Sequence, residues 1–337
     1  MTTATDVSPP PIAGIRPDAV FLLLLAVVAA LAAGYGWFGE SRDYGNYQGA
    51  FTSLSLHDSF SHYRYERGYT ALSWLAKFYL GLDFAQYYTA LVAGSLLLKF
   101  RLLWKHSSAP VIAALVYLTI LFPFYEYTQL RAGVAFAFAF TAIDAYLDGK
   151  WFAALLLLAL GTLMHVTAIV VGGGAILVML VFRWPPLLVA ALFSAVAVGM
   201  SLVVSASVRI LEHVNPLAAK YIETAFLNKT PNLFSVENIL IFATLVSGAL
   251  FLRPWQMRKN GFFYYLSFWA LIFCAALVKF PVFAHRLEDA FIFSLLLFAF
   301  RFDDSHQSRI PSLIMILAGG WMAYRSVFEE WLLIYHR

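Results

Sequence analysis

Charged residues make up only 12% of this 337-residue chain, and cysteine occurs once. Each scarcity excludes something. With 61% hydrophobic residues there is too little polar side chain to cover the surface of a water-soluble domain of this size. The single cysteine, Cys274, lies in an apolar run, so there is no disulfide framework and no cysteine-based metal centre. The P-loop, G-x-S-x-G, H-E-x-x-H and dinucleotide fingerprints are all missing, as are an internal repeat and a soluble domain. A net charge of +4 without basic tracts is no signal for nucleic acid.

What the chain has is repeated apolar runs near 20 residues, with Trp, Tyr and Phe gathered at their ends as in interfacial belts. This predicts an all-α polytopic membrane protein of 10–12 transmembrane helices plus a short re-entrant or interfacial helix. Residues 1–17 are Pro-rich and polar and read as a disordered cytoplasmic N-terminus; residues 18–337 read as one integral membrane domain. The first apolar run, Asp18 to Trp37, lacks a small-residue cleavage site and reads as a retained helix. Larger periplasmic loops are expected near 38–67 and 205–235.

Gly68 to Leu82 is too short for a core of about 30 Å and is interrupted by Ser73 and Lys77, which suggests the re-entrant element. Asp83 is placed to cap the next helix, whose end carries Lys99, Arg101, Lys105 and His106 as an expected cytoplasmic anchor. Glu126 to Arg131 forms an outer turn, and Asp148–Gly149–Lys150 an inner one. The run from Trp151 to Trp184 would be about 50 Å as one helix, too long for one crossing. A break at His165 yields two short crossings; a break at Gly172–Gly173–Gly174 leaves a piece too short to span. The first is preferred. Leu187 to Val204 is the next expected crossing, and the basic residues beyond it divide evenly between the two sides.

Two residues stand where apolar ones are expected. Arg131 opens an apolar helix, where a guanidinium beside the positive helix end suits an anion; its structural alternatives are a snorkelling anchor or a partner of Glu126. His165 would be a general base or a hydrogen-bond donor at a helix break, or a hydrogen-bonded core group. Arg286 is a second arginine at the same side, with Asp289 in place to pair with it at i,i+3. Asp43, Tyr47, Glu66 and Tyr69 come from the first outer loop, where tyrosines suit sugar faces and a carboxylate suits an acceptor proton. Tyr127 and Gln129 flank Arg131. His62 and Glu66 are four apart, but nothing completes a metal site.

In order, Asp43–Tyr44 with Tyr47, then Tyr65–Glu66–Arg67–Gly68–Tyr69, Arg131–Ala132–Gly133–Val134–Ala135, Met164–His165–Val166–Thr167–Ala168 and Arg286 resemble the EpsG-like family of bacterial exopolysaccharide membrane proteins, related to Wzy-type polymerases. The resemblance implies a multi-pass protein of the bacterial inner membrane that polymerises lipid-linked oligosaccharide repeats on the periplasmic face. The donor would be a glycan on undecaprenyl pyrophosphate and the acceptor a hydroxyl on another repeat. A flippase and a chain-length regulator would be its partners. The enzyme would be a metal-independent glycosyltransferase without cofactor. Arg131 and Arg286 would hold the pyrophosphate, and Tyr47, Tyr69, Tyr127 and Gln129 the sugar. His165, Glu66 and Asp43 are the candidate bases, and the sequence does not choose among them. Another lipid-phosphate glycosyltransferase or ligase, and a non-enzymatic transporter subunit, are the alternative readings.

Overall fold

The computed structural model describes residues 17–37, 39, 41, 43–56, 65–182, 184–214, 234–254, 257–277, 281–301 and 307–328. The expected disordered N-terminus and His62 lie outside them, as does most of the expected second loop. Fourteen α-helices occur among the described residues, and no strand. They are α1 (Pro17–Gly34), α2 (Tyr44–Ser53), α3 (Arg67–Phe78), α4 (Phe84–His106), α5 (Pro110–Ile120), α6 (Phe122–Tyr125) and α7 (Leu130–Leu147). After these come α8 (Trp151–Met164), α9 (Thr167–Val181), α10 (Pro186–Val214), α11 (Val236–Leu252), α12 (Arg258–Ala276), α13 (Pro281–Ala299) and α14 (Ile310–Phe328). The chain is an all-helical polytopic membrane protein. By length and composition α1, α7 and the first part of α10 can each cross a membrane, and α5, α8, α9, α11 and most of α12 are shorter apolar helices. Helices suit this setting because each satisfies its own backbone polar groups without water.

Contacts between helix ends give the bundle two ends. At one end Lys105 bridges Asp144 (2.7 Å) and Asp148 (2.6 Å), His106 meets Asp144 at 2.8 Å, and Lys259 pairs with Asp148, so α4, α7 and α12 are clasped together. The Ser108 amide donates to the Phe300 carbonyl at 2.8 Å and adds α13 to this clasp. At the other end lie the start of α4, the start of α7, the α8–α9 junction and the starts of α11 and α13.

Three details position the functional residues. First, α4 starts with a capping box: Asp83 accepts from the Gln86 amide, and Gln86 accepts in return. Second, Tyr88 of α4 bridges the Glu126 and Tyr127 carbonyls at 3.0 and 2.9 Å. Third, the Glu126 carboxylate reaches deeper, to Ser95 (2.8 Å), Tyr117 (2.6 Å) and Lys99. Lys99 is therefore no cytoplasmic anchor. It is 1% exposed and paired with Glu126 inside the bundle, because a buried carboxylate requires a charged partner. The same contact removes Glu126 as a partner of Arg131.

The run after Trp151 breaks at His165, whose backbone is extended between α8 and α9. The three glycines do not break α9. A Cβ on Gly174 would meet Phe291 at 3.2 Å and Trp269 at 3.3 Å, so this glycine permits close packing on α12 and α13. Helix α10 continues through residue 214, so the first part of the expected second loop is helical. The first loop contains α2, and Lys77 of α3 donates to the Phe51, Thr52 and Leu54 carbonyls (3.1, 2.7 and 2.8 Å) at the end of α2.

Candidate active site

At the end opposite the clasp, two charged side chains and a histidine from three separate elements meet. Glu66 is the residue before α3, Arg131 is the second residue of α7, and His165 is the α8–α9 break. An Arg131 Nη donates to Glu66, and His165 Nε2 stands 3.6 Å from the other Glu66 oxygen. These side chains keep 18%, 27% and 18% of their surface exposed for Arg131, Glu66 and His165, so the group remains within reach of a ligand.

Gly68 explains how Glu66 arrives there. A Cβ at this position would stand 2.5 Å from the Leu163 carbonyl oxygen, so only glycine lets the first turn of α3 lie on the last turn of α8. Tyrosines enclose the guanidinium: Tyr65 lies 4.2 Å from it, Tyr47 5.8 Å and Tyr69 6.0 Å, ring centroid to Cζ. Such cation–π contacts hold an arginine without neutralising it. Burial pushes the Tyr47 phenol up from its ordinary value despite the lowering pull of Arg131, so it stays a neutral hydroxyl. The Arg131 Nε is buried and has no hydrogen-bond partner among the described residues.

The histidine has a defined tautomer. The Thr167 amide donates to His165 Nδ1 at 3.3 Å, and the Thr167 hydroxyl lies 2.8 Å from the same nitrogen. An amide can only donate, so Nδ1 accepts and the neutral ring carries its proton on Nε2. Facing Glu66, Nε2 is then a donor.

The remaining candidates fall in different places. Arg286 is close enough to act electrostatically on His165, and its carbonyl accepts from the Tyr125 hydroxyl at 2.9 Å. The Arg286–Asp289 ion pair that the i,i+3 spacing left open is not formed: among the described residues Arg286 has no ion pair. Nearby acidic residues find other partners, Glu288 with His285 (3.3 Å) and Glu237 with Arg325 (3.5 Å). Asp43 precedes α2 and acts on Tyr47 through its charge, but forms no ion pair with Arg131 or His165. Tyr127 is buried and its hydroxyl donates to the Gly39 carbonyl, which fastens the segment after α1 to the turn before α7. Gln129 is half-buried and precedes α7. Among the described residues no three His, Cys, Asp or Glu side chains gather as a metal site.

Sequence reasoning did not assign roles to Tyr65 and Thr167. Both were visible as members of short motifs around Glu66 and His165. Their roles depend on a ring stacked across two elements and on one side-chain bond, neither of which spacing reveals.

Compared with known proteins, the chain from residue 19 to residue 328 matches the model of the EpsG family. No curated protein and no solved structure matches it.

Proposed function

The chain belongs to the EpsG family, and from that premise we propose that it polymerises lipid-linked oligosaccharide repeats at the Arg131–Glu66–His165 site. Membership makes it a membrane protein of polysaccharide biosynthesis. The finer reading is a metal-independent glycosyltransferase of the bacterial inner membrane, with its site facing the periplasm and undecaprenyl pyrophosphate as the carrier. A flippase and a chain-length regulator are its proposed partners.

The observation that carries the reading is the convergence of two arginines, one carboxylate and one histidine in a tyrosine-lined, partly open site of a membrane bundle. Its chemistry follows. An acceptor hydroxyl attacks the anomeric carbon of the donor glycan. The new C–O bond forms as the bond to the pyrophosphate oxygen breaks, and the carrier pyrophosphate leaves with that electron pair. Arg131 and Arg286 stabilise the charge that develops there. Glu66 takes the acceptor proton. The Glu66 carboxylate accepts from Arg131. A pyrophosphate that draws the guanidinium to itself frees carboxylate lone pairs for the acceptor hydroxyl, so donor binding arms the base. His165, with its proton on Nε2, donates a hydrogen bond to substrate rather than serving as first base.

The test is incubation of purified protein in vesicles with lipid-linked repeats, reading chain length on a gel. Wild type should extend the repeats. Arg131→Ala and Glu66→Gln should leave single repeats while the protein stays folded in the membrane. Normal chain lengths from Arg131→Ala would sink the assignment.

A further inference from the structure

A groove opens directly beneath the site. Helices α8 and α9 diverge below His165, each packed on α7 more than on the other. Between them lies a cavity of about 580 Å³, lined by Leu158, Leu163, Ile169, Gly172, Gly173 and Ile176 among others. The lining is almost wholly apolar, and Leu163, Ile169 and Ile176 are 51%, 53% and 59% exposed toward the surroundings of the bundle. The two glycines form its floor. A Cβ on Gly173 would meet nothing within 4 Å, so the space there is open; one on Gly172 would touch only the end of the Leu158 side chain at 3.0 Å.

The groove is continuous with the charged site. Leu163 lines it and also carries the backbone against which Gly68 packs, and Gly68 is two residues from Glu66. Ile169 is four residues beyond His165. Arg131 and His165 thus stand at the mouth of an apolar trough that descends into the membrane layer. The stretch of α8 that lines it, from Leu155 to Leu163, is about 12 Å long at 1.5 Å per residue. A ligand that fits both parts has an anionic head for the arginines and an unbranching, narrow hydrocarbon tail for the trough.

We propose that the α8–α9 groove, floored by Gly172 and Gly173, holds the first isoprene units of the polyprenyl pyrophosphate carrier, with the pyrophosphate at Arg131. This rests on the proposed function and adds to it the place of the lipid tail. The groove is shorter than the roughly 30 Å hydrocarbon layer, so it takes only the stretch next to the headgroup, and the rest of the chain runs on into lipid. Side chains large enough to close the floor would therefore reduce recognition of the tail and leave recognition of the head intact.

The test measures binding of dimethylallyl pyrophosphate and farnesyl pyrophosphate to the purified full chain in detergent. These carry one and three isoprene units on the same head. Wild type should bind the farnesyl compound at least tenfold more tightly. Gly173→Phe, whose ring has open space to enter, should lose that gain while binding dimethylallyl pyrophosphate as before, and Ile176→Trp should lose part of it. Unchanged dimethylallyl binding reports that the fold is intact. Arg131→Ala should weaken both compounds equally. A farnesyl preference that survives both Gly173→Phe and Ile176→Trp overturns the groove assignment. So does a change in oligomeric state on filling the groove, which would make it a seat for a second copy. So does loss of co-purifying phospholipid without loss of the farnesyl preference. Failure of wild type to bind either pyrophosphate would instead count against the head site and the proposed function itself.

Discussion

Removing the Glu126 carboxylate should damage the protein twice, although Glu126 touches no substrate. The residue is 0% exposed, and Lys99 beside it is 1% exposed. Glu126→Ala leaves the Lys99 ammonium with Tyr117 as its remaining hydrogen-bond partner, 2.9 Å away. Breaking a buried pair in this way costs about 3–5 kcal/mol, since the stranded charge keeps its desolvation penalty. Lys99→Met strands the carboxylate instead, with Ser95 and Tyr117 still donating to it, and should cost less. The double variant Lys99→Met/Glu126→Ala removes both charges, so its cost should fall well below the sum of the singles. A coupling of about 2–3 kcal/mol is expected from denaturant unfolding in detergent by a double-mutant cycle. The second loss is catalytic. Glu126 holds the turn that leads into Arg131, and displacement of a catalytic group by about 1 Å costs on the order of 100-fold in rate. Single losses that add to within about 0.5 kcal/mol, or wild-type polymer from Glu126→Ala, would refute this reasoning.

Gly68→Ala should lower polymer formation at least as strongly, since its Cβ would lie 2.5 Å from the Leu163 carbonyl oxygen and must push α3, and Glu66 with it, off α8; chain length and Arg131-dependent pyrophosphate binding check it, and wild-type values for both would contradict it. At the other end, the Lys105 and Lys259 hydrogen bonds hold the Asp148 carboxyl down to about 2. A depressed folded value means that its contribution is complete above the unfolded value near 4 and is lost as pH falls through 2. Asp148→Asn should therefore cost about 0–1 kcal/mol at neutral pH, as exposed pairs do, and nothing near pH 2; unfolding measured at both pH values decides it, and a loss that grows toward acid would be wrong in sign.

How much of this was legible in the sequence depends on the range of the interaction. The membrane class, the capping aspartate at position 83 and the break at His165 followed from composition, one local motif and segment length. Each is set within a few residues. The association of Arg131, His165 and Arg286 at one end also followed, because antiparallel crossings return alternate ends to the same side. The Lys99–Glu126 pair did not, since it joins positions 27 apart across two helices and a lysine near a helix end ordinarily anchors at the interface. The Glu66–Arg131 pair, 65 positions apart, required the α3 arm to fold back on α8, which rests on one glycine. The Arg286–Asp289 pair, open on spacing alone, is not formed, because i,i+3 proximity on a helix does not decide which neighbouring helix each side chain faces.

Depth decides which basic residues report on topology. Along α4, Tyr88 is about 6 Å below the first residue, and Lys99 about 23 Å, at 1.5 Å per residue. The Tyr125–Arg131 turn hangs from Tyr88, and its Glu126 carboxylate reaches Lys99. Arg131, paired with Glu66, and Lys99, paired with Glu126, are thus internal and carry no topological information; the positive-inside rule counts only charges in short loops and near helix ends. Among the described residues the exposed basic side chains that remain are unevenly placed. Arg101, Lys105, Lys150, Arg253, Arg301 and Arg309 are exposed around the clasp end, whereas among the described residues of the site end Arg67 is exposed, Lys77 and Arg286 are half-buried, and Arg325 is half-buried against Glu237. By that rule the described charges favour the clasp end as the cytoplasmic one, in keeping with the proposed periplasmic site. Single cysteines placed at Lys150 and Arg67 in a Cys274→Ser background should react with an impermeant maleimide from opposite sides of the membrane, Arg67→Cys from the periplasm. Labelling of Lys150→Cys from outside would invert the bundle and place the site on the wrong side for this substrate.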